Sequence, residues 1–384
     1  MTWDIFCTVI DNYGDIGVTW RLARQLAVEH AIPVRLWVDD LAAFRCLQPE
    51  IDPMQPVQYL SGVEIRPWRL ASEGQIEPAE VVIEALACRL PEAFLLRMAA
   101  RQPPPLWLNL DYLSAEDWVA GVHRLPSPHP RLPLTQYFFM PGYQAQTGGL
   151  TRERDLVATR QAFQADHTAR MRFFSQLGVC QKLGLPPATD ATLFISLFCY
   201  ENLAMAALLQ AWSQSLQPIC VLLPVGKALP QVADWFGATT AVPGTRWQRA
   251  ALTVVVLPML SLDAYDRLLW ACDLNFVRGE DSCVRAQWAA RPMVWQAYRQ
   301  EEGAHWPKLN ALLDLYCATA DAAVSDCPRA FWLAWNQESA AAVTAHWPAM
   351  QRTLPTLHVH ARNWATKLVA QTDLATNLLN FCCK

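Results

Sequence analysis

A chain of 384 residues is longer than a single core usually grows, so two domains are the default expectation. Its residues are 53% hydrophobic and 17% charged, which describes large buried cores and excludes disorder. A formal charge of -4 argues against an electrostatic grip on nucleic acid, which needs clustered Lys and Arg.

In chain order, the first half offers six β-rich runs: "WDIFCTVI", "PVRLWV", "VEIRPW", "EVVIEAL", "PLWLNL" and "TQYFFM", separated by helical or Pro-rich connections. Short β-rich runs alternating with helices predict an α/β fold with parallel sheets. Around residues 144–190 this rhythm weakens, through Gly148, Gly149 and the charged, partly helical "TRERDLVATRQAFQADHTARMR", which marks the inter-domain connection. The rhythm restarts with "TLFISLF", "ICVLLP", "TVVVLP", "LNFVRG" and "PMVWQ", and from about residue 303 the chain reads as helices. Two Rossmann-like domains facing a cleft follow, the first over 1–180 and the second over 181–360.

Most of the twelve cysteines sit inside apolar stretches such as "DIFCTV" and "QPICVLL", so buried reduced thiols explain them better than a disulfide framework. No Cys-x-x-Cys pair and no His or Cys cluster has zinc-ligand spacing, so no metal is expected. The chain opens without a basic n-region and has no apolar stretch of about 18 residues, which predicts a cytoplasmic protein away from the membrane.

Four stretches carry polar residues where chemistry is possible. In "CTVIDNYGDIGVTWRLARQLA" (7–27), Asp11, Asn12, Gly14, Asp15 and Gly17 fall at the carboxyl end of the first strand, where open α/β sheets bind ligands. The glycines do not match G-x-G-x-x-G, and two acids at a helix start would repel a pyrophosphate, so this turn faces something cationic or polar. Simple capping of a turn and a helix is the competing explanation. In "NFVRGEDSCVRAQWA" (275–289) a strand runs through Gly279 into Glu280, Asp281 and Ser282, which resembles a phosphate seat at a helix start, although spacing alone favours an ordinary capped turn. In "LFISLFCYEN" (193–202), Phe198 and Tyr200 leave a strand before a helix, where an aromatic can stack on a base or sugar or complete the core. In "WQAYRQEEGAHW" (295–306), Tyr298, Gln300, Glu301 and His305 follow another strand, and His305 reads as structural in preference to a base.

Taken together and in order, "DNYGDIGVTWRLARQLA", "VIEALACRLPE", "WLNLDYLSAEDWV", "FFMPGY" with "TGGL", "SLFCYEN", "YDRLLWACD" and "VRGEDSCVRAQWA" resemble the bacterial protein-arginine rhamnosyltransferases that modify elongation factor P. The resemblance spans nearly the whole chain. It implies a GT-B glycosyltransferase with an N-terminal acceptor domain, a C-terminal nucleotide-sugar domain and a C-terminal helix (361–384) that packs back on the first, a dTDP-β-L-rhamnose donor, no cofactor, and an acceptor arginine on elongation factor P. It carries the catalytic aspartates onto Asp11 and Asp15, with Asp15 nearest a general-base role, and places Glu280 at the phosphate-facing turn; an acid there would repel a phosphate, so Glu280 is counted with the catalytic residues as organising the sugar or its loop. Donor residues fall on Phe198, Tyr200, Asp281 and Ser282, with Gly14 and Gly17 in the N-terminal turn. The chain departs from the family pattern at Leu262 and Arg299, which bears on nucleoside contacts.

The implied chemistry gives the paired acids a task. A guanidinium is protonated and delocalised, hence a poor nucleophile until it is held and polarised. Asp15 would accept its proton as the new bond forms while Asp11 holds the fork in line. An acid beside a cation is itself made more acidic, so proton loss follows bond formation and does not precede it. The rival readings are a nucleotide-sugar sensor without turnover, which needs no paired acids, and a GT-B enzyme with a different acceptor, such as a lipid or glycan.

Overall fold

The computed structural model describes residues 1–10, 13–73, 76–179, 192–318 and 322–383. The chain divides into two compact units, Met1–Arg154 with Leu368–Lys384, and Asp155–Lys367.

The first unit holds strands β1 (Trp3–Cys7), β2 (Val34–Val38), β3 (Gln58–Leu60), β4 (Val63–Pro67), β5 (Val81–Ala85), β6 (Leu106–Leu110), β7 (Pro126–Pro128) and β8 (Thr135–Phe139). They lie in the order β3-β4-β2-β1-β5-β6-β8-β7. Strands β4, β2, β1, β5, β6 and β8 are parallel, while β3 and β7 pair antiparallel at the two edges. The parallel strands therefore follow the doubly wound order, and the direction of winding reverses between β1 and β5, the place where such sheets bind ligands. Helices α1 (Gly14–His30), α2 (Leu41–Leu47), α3 (Arg69–Glu73), α4 (Glu92–Ala100) and α5 (Trp118–Val122) connect the strands.

Every residue of β1 and β5 is buried, as expected where helices cover both faces of a sheet. On one face Phe6 stacks on Trp37 at 5.4 Å, with Phe94 edge-on at 4.9 Å; on α1, Trp20 meets Phe44 at 5.3 Å. Helix α1 ends at Ala31 in the left-handed conformation, with Pro33 two residues further on.

The second unit begins with α6 (Leu156–Ala165) and α7 (His167–Gln176). Arg160 donates to the Trp288 carbonyl at 2.9 Å and Arg170 to that of Ala271 at 2.7 Å, which fixes both helices to this unit. Its sheet comprises β9 (Leu193–Leu197), β10 (Ile219–Pro224), β11 (Arg246–Arg249), β12 (Leu252–Leu257), β13 (Leu274–Arg278) and β14 (Met293–Gln296), in the order β11-β12-β10-β9-β13-β14. Here too the winding reverses, between β9 and β13. The intervening helices are α8 (Met205–Ser213), α9 (Leu229–Phe236), α10 (Leu262–Ala271) and α11 (Asp281–Trp288), followed by α12 (His305–Cys317), α13 (Ala322–Asn336) and α14 (Ala340–Val369).

The last helix, α15 (Leu374–Cys382), belongs to the first unit. Leu374 N donates to Leu150 O at 2.9 Å, Asn377 to Gly148 O at 3.0 Å, and Gln25 of α1 to Asp373 at 3.1 Å.

Candidate active site

In the first unit the turn after β1 enters α1 directly. Asp15 occupies the first turn of that helix, where the free N–H groups favour a carboxylate, and is 2% exposed. Its two oxygens are held from different directions. Oδ2 accepts from Ile10 N at 2.8 Å, and Oδ1 accepts from the Tyr112 hydroxyl, beyond β6, at 3.3 Å. Thr19, one turn on, donates to the Asp15 carbonyl at 2.7 Å. Gly14 starts the helix and Gly17 is buried in its first turn, donating to Tyr13 O at 3.0 Å. Asp11 and Asn12 lie outside the described residues.

The strand leading into this turn ends in Cys7, whose thiol is pushed up by burial, with the charges of Asp15 and Asp39 adding to the effect. It stays a neutral thiol and serves no nucleophilic role. Asp39, just after β2, accepts from Val9 N at 2.9 Å and so steadies the approach to the turn.

In the second unit the loops after β9 and β13 flank the winding reversal. Phe198 N donates to Phe276 O at 3.0 Å, and Tyr200 N donates to the Gln296 side chain at 3.0 Å. These bonds tie the loop after β9 to β13 and β14. Strand β13 ends in Arg278, which is 5% exposed; its guanidinium carbon lies 4.7 Å from the Phe198 ring centroid and 4.5 Å from that of Tyr200. Sequence reading missed Arg278. Its signal was a cation closing an apolar strand just before a Gly turn, the position from which a side chain reaches a ligand at the strand ends.

Gly279 then turns the chain with φ +59°, a left-handed value that glycine adopts without strain. Its carbonyl accepts from Trp295 Nε1 at 2.8 Å. Glu280 is the N-cap position of α11, and Asp281 and Ser282, both about 6% exposed, form its first turn. The Ser282 hydroxyl works inside this turn, accepting from Arg278 N at 3.1 Å and donating to Arg278 O. Behind it, Arg285 and Asp266 form a buried bidentate pair at 3.0 and 2.6 Å. Tyr265 packs edge-on against Phe198 at 5.4 Å, and burial pushes its phenol far up, so it stays neutral.

Tyr298 lies 5.6 Å from Tyr200 and is 54% exposed. Burial, then Arg299, lowers the His305 imidazole, whose Nδ1 accepts from Gln300 N at 3.2 Å. His305 is thus a structural acceptor. The structure gathers Phe198, Tyr200, Glu280, Asp281 and Ser282 around Arg278 in one unit, and places Gly14, Asp15 and Gly17 at the equivalent strand end of the other. Among the described residues no group of three or more His, Cys, Asp or Glu has a metal-binding arrangement, and no helix is long and apolar enough to cross a membrane.

Comparison with known proteins matches this architecture along its length. The chain is 49% identical over 380 residues to a protein-arginine rhamnosyltransferase of Pseudomonas aeruginosa, covering 99% of this chain and 98% of that one. It is 49% identical over 386 residues to the protein of the same description from Pseudomonas putida, again covering 99% and 98%. A solved structure reported as the structural basis for EarP-mediated arginine glycosylation of translation elongation factor EF-P superposes with a TM-score of 0.70 at 36% identity, covering 99% of this chain and 98% of that one. The two doubly wound units are those of a GT-B glycosyltransferase. The model of the elongation factor P (EF-P) rhamnosyltransferase EarP family matches residues 3–383, and the chain belongs to that family of protein-arginine rhamnosyltransferases.

Proposed function

We propose that this enzyme moves L-rhamnose from dTDP-β-L-rhamnose to one arginine side chain of elongation factor P in the cytoplasm, inverting the anomeric centre to give α-rhamnosyl arginine. The observation that carries the reading is Asp15, a buried carboxylate at a strand-end helix start with each oxygen anchored by a donor from its own unit.

In a single displacement, an acceptor guanidinium nitrogen attacks C1 of the sugar, the C1–O bond to the diphosphate breaks with its electron pair leaving on oxygen, and the nitrogen loses one proton to Asp15. The protonated guanidinium is a poor nucleophile, and a positioned carboxylate removes that obstacle as the new bond forms. Asp11 serves to hold the guanidinium fork in line. The geometry of Asp15 supports a general base better than a covalent nucleophile, since Oδ2 is anchored by Ile10 N in the turn and Oδ1 by the Tyr112 hydroxyl beyond β6.

On the donor side, charge gathers on the departing diphosphate. The N-terminus of α11 offers free N–H groups and about half a positive charge, and Arg278 adds a full one, fixed between two rings. Together these replace a divalent ion, so transfer is metal-independent and proceeds in excess EDTA. Asp281 and Ser282 shape this helix start, Phe198 and Tyr200 pack against the donor, and Glu280 organises the sugar or its loop.

Intact-mass measurement of elongation factor P, incubated with the enzyme and dTDP-β-L-rhamnose in EDTA, tests the reading. A gain of one deoxyhexosyl unit, mapped to a single arginine, is expected. An unmodified acceptor alongside intact donor contradicts it.

A further inference from the structure

Asp15 carries out proton transfer in the reading above, and the following inference rests on that reading. A carboxylate on a helix has a broad terminal torsion, so its orientation depends on the donors that meet each oxygen. The bond from Ile10 N at 2.8 Å holds Oδ2 from the turn itself. A donor to Oδ1 comes from far along the chain. Tyr112 follows β6, whose backbone is tied to its neighbour where Asp111 N donates to Phe139 O at 3.1 Å, and Tyr112 N donates to Asp111 Oδ1 at 2.7 Å. From this fixed base its hydroxyl reaches Asp15 Oδ1 at 3.3 Å. That is long for a hydroxyl–carboxylate bond, as is common before a substrate is engaged.

We propose that Tyr112 is a positioning residue for the transfer: its hydroxyl locks the Asp15 carboxylate in the orientation that meets the arginine nitrogen. An ionised carboxylate has about four acceptor sites, so donors to each oxygen can fix its plane while it still accepts from a guanidinium. The bond also favours the charged form, which makes Asp15 a better-ordered but weaker base. Positioning and basicity therefore move in opposite directions when the hydroxyl is altered, and that gives the proposal its signature. Among the described residues Cys7 on β1 feels the charge of Asp15, Asp39 after β2 also acts on Cys7, and Asp111 holds the Tyr112 backbone. Burial keeps Cys7 neutral across the working range, and Asp39 is held by Val9 N and Asp40 N at 2.9 and 2.8 Å.

The test measures kcat, the acceptor KM and the pH dependence of kcat/KM for Tyr112→Phe, for site-specific 3-fluorotyrosine at 112, and for Asp15→Asn in the same assay. Loss of one hydrogen bond to a charged group lowers kcat about tenfold and moves the acid limb up by about one pH unit in Tyr112→Phe, with the acceptor KM within about twofold. Fluorotyrosine keeps the hydroxyl and the fold but donates more strongly, so it moves the acid limb the other way. A purely structural role would not produce limbs of opposite sign. Unchanged kcat and acid limb in Tyr112→Phe, with Asp15→Asn inactive, overturns the proposal and leaves the base assignment standing. A raised acceptor KM with a fixed limb also overturns it, because Tyr112 would then touch substrate directly. Near-normal turnover by Asp15→Asn removes the base assignment itself.

Discussion

The guanidinium of Arg278 lies over the ring of Tyr200, its carbon 4.5 Å from the centroid, in a position that is almost wholly buried. Stacking of this kind needs the flat, delocalised cation of arginine and is not reproduced by lysine. Arg278→Lys is expected to weaken dTDP binding about tenfold and Arg278→Gln more, as a charged contact to the diphosphate is lost. Isothermal calorimetry reads both, and unchanged affinity in the Gln variant would remove Arg278 from the donor site.

Ser282 acts one step behind. Its hydroxyl bridges the N–H and carbonyl of Arg278, so removing it loosens the turn that delivers the helix N-terminus. Ser282→Ala should cost about 1–2 kcal/mol of stability and weaken dTDP binding, while affinity for elongation factor P is largely kept. Denaturant unfolding beside calorimetry checks this. Unchanged affinity for dTDP would show that the helix start does not contact the donor.

The fold should also record two half-buried histidines. Burial, then the Arg291 charge, pulls His358 down to about 4, and burial, then Arg124, pulls His123 down to about 4. A depressed folded value gives stability that is present above the ordinary histidine range and lost as pH falls toward the folded value. Stability should therefore decline from about pH 6.5 to about pH 4, as the unfolded chain takes up protons first. Denaturant unfolding across that window measures the slope, and His358→Gln should flatten it. An unchanged slope in that variant would contradict the assignment.

Gly149 tests the return of the C-terminal segment. It has φ +80°, and a Cβ there would lie 2.3 Å from the Thr372 carbonyl oxygen. Gly149→Ala combines left-handed strain with a backbone clash and should cost about 2–4 kcal/mol. Equilibrium unfolding of the variant reads the loss, and a near-neutral effect would show that the segment 368–384 is not anchored at Thr372.

Among the described residues eleven strands were legible in the sequence, the central ones because parallel strands buried on both faces read as unbroken apolar runs, as "ICVLLP" and "TVVVLP" do. The three missed, β3, β7 and β11, are short antiparallel edges with sequences QYL, PSP and RWQR, whose exposed positions leave no such run. The connection around residues 144–190 shows as a loss of rhythm, but the unit its helices join is set by contacts such as Arg170 with Ala271, which sequence does not display. At the site, turns following strands were readable from Gly, Asp and Ser at strand ends. Tyr112 was not, since it meets Asp15 across 97 positions of chain. The direction of the Ser282 hydroxyl was hidden for a different reason: the same residue type caps a helix outward or closes its own turn, and backbone geometry decides between them.

The most direct test of the account is the rate of rhamnosyl transfer by Asp15→Asn, with dTDP binding measured in parallel. The amide keeps the shape of the carboxylate but cannot take the arginine proton, so transfer should fall by about a hundredfold or more with dTDP affinity unchanged. Turnover close to that of the unaltered enzyme, at equal donor affinity, would contradict the assignment of Asp15 as the base.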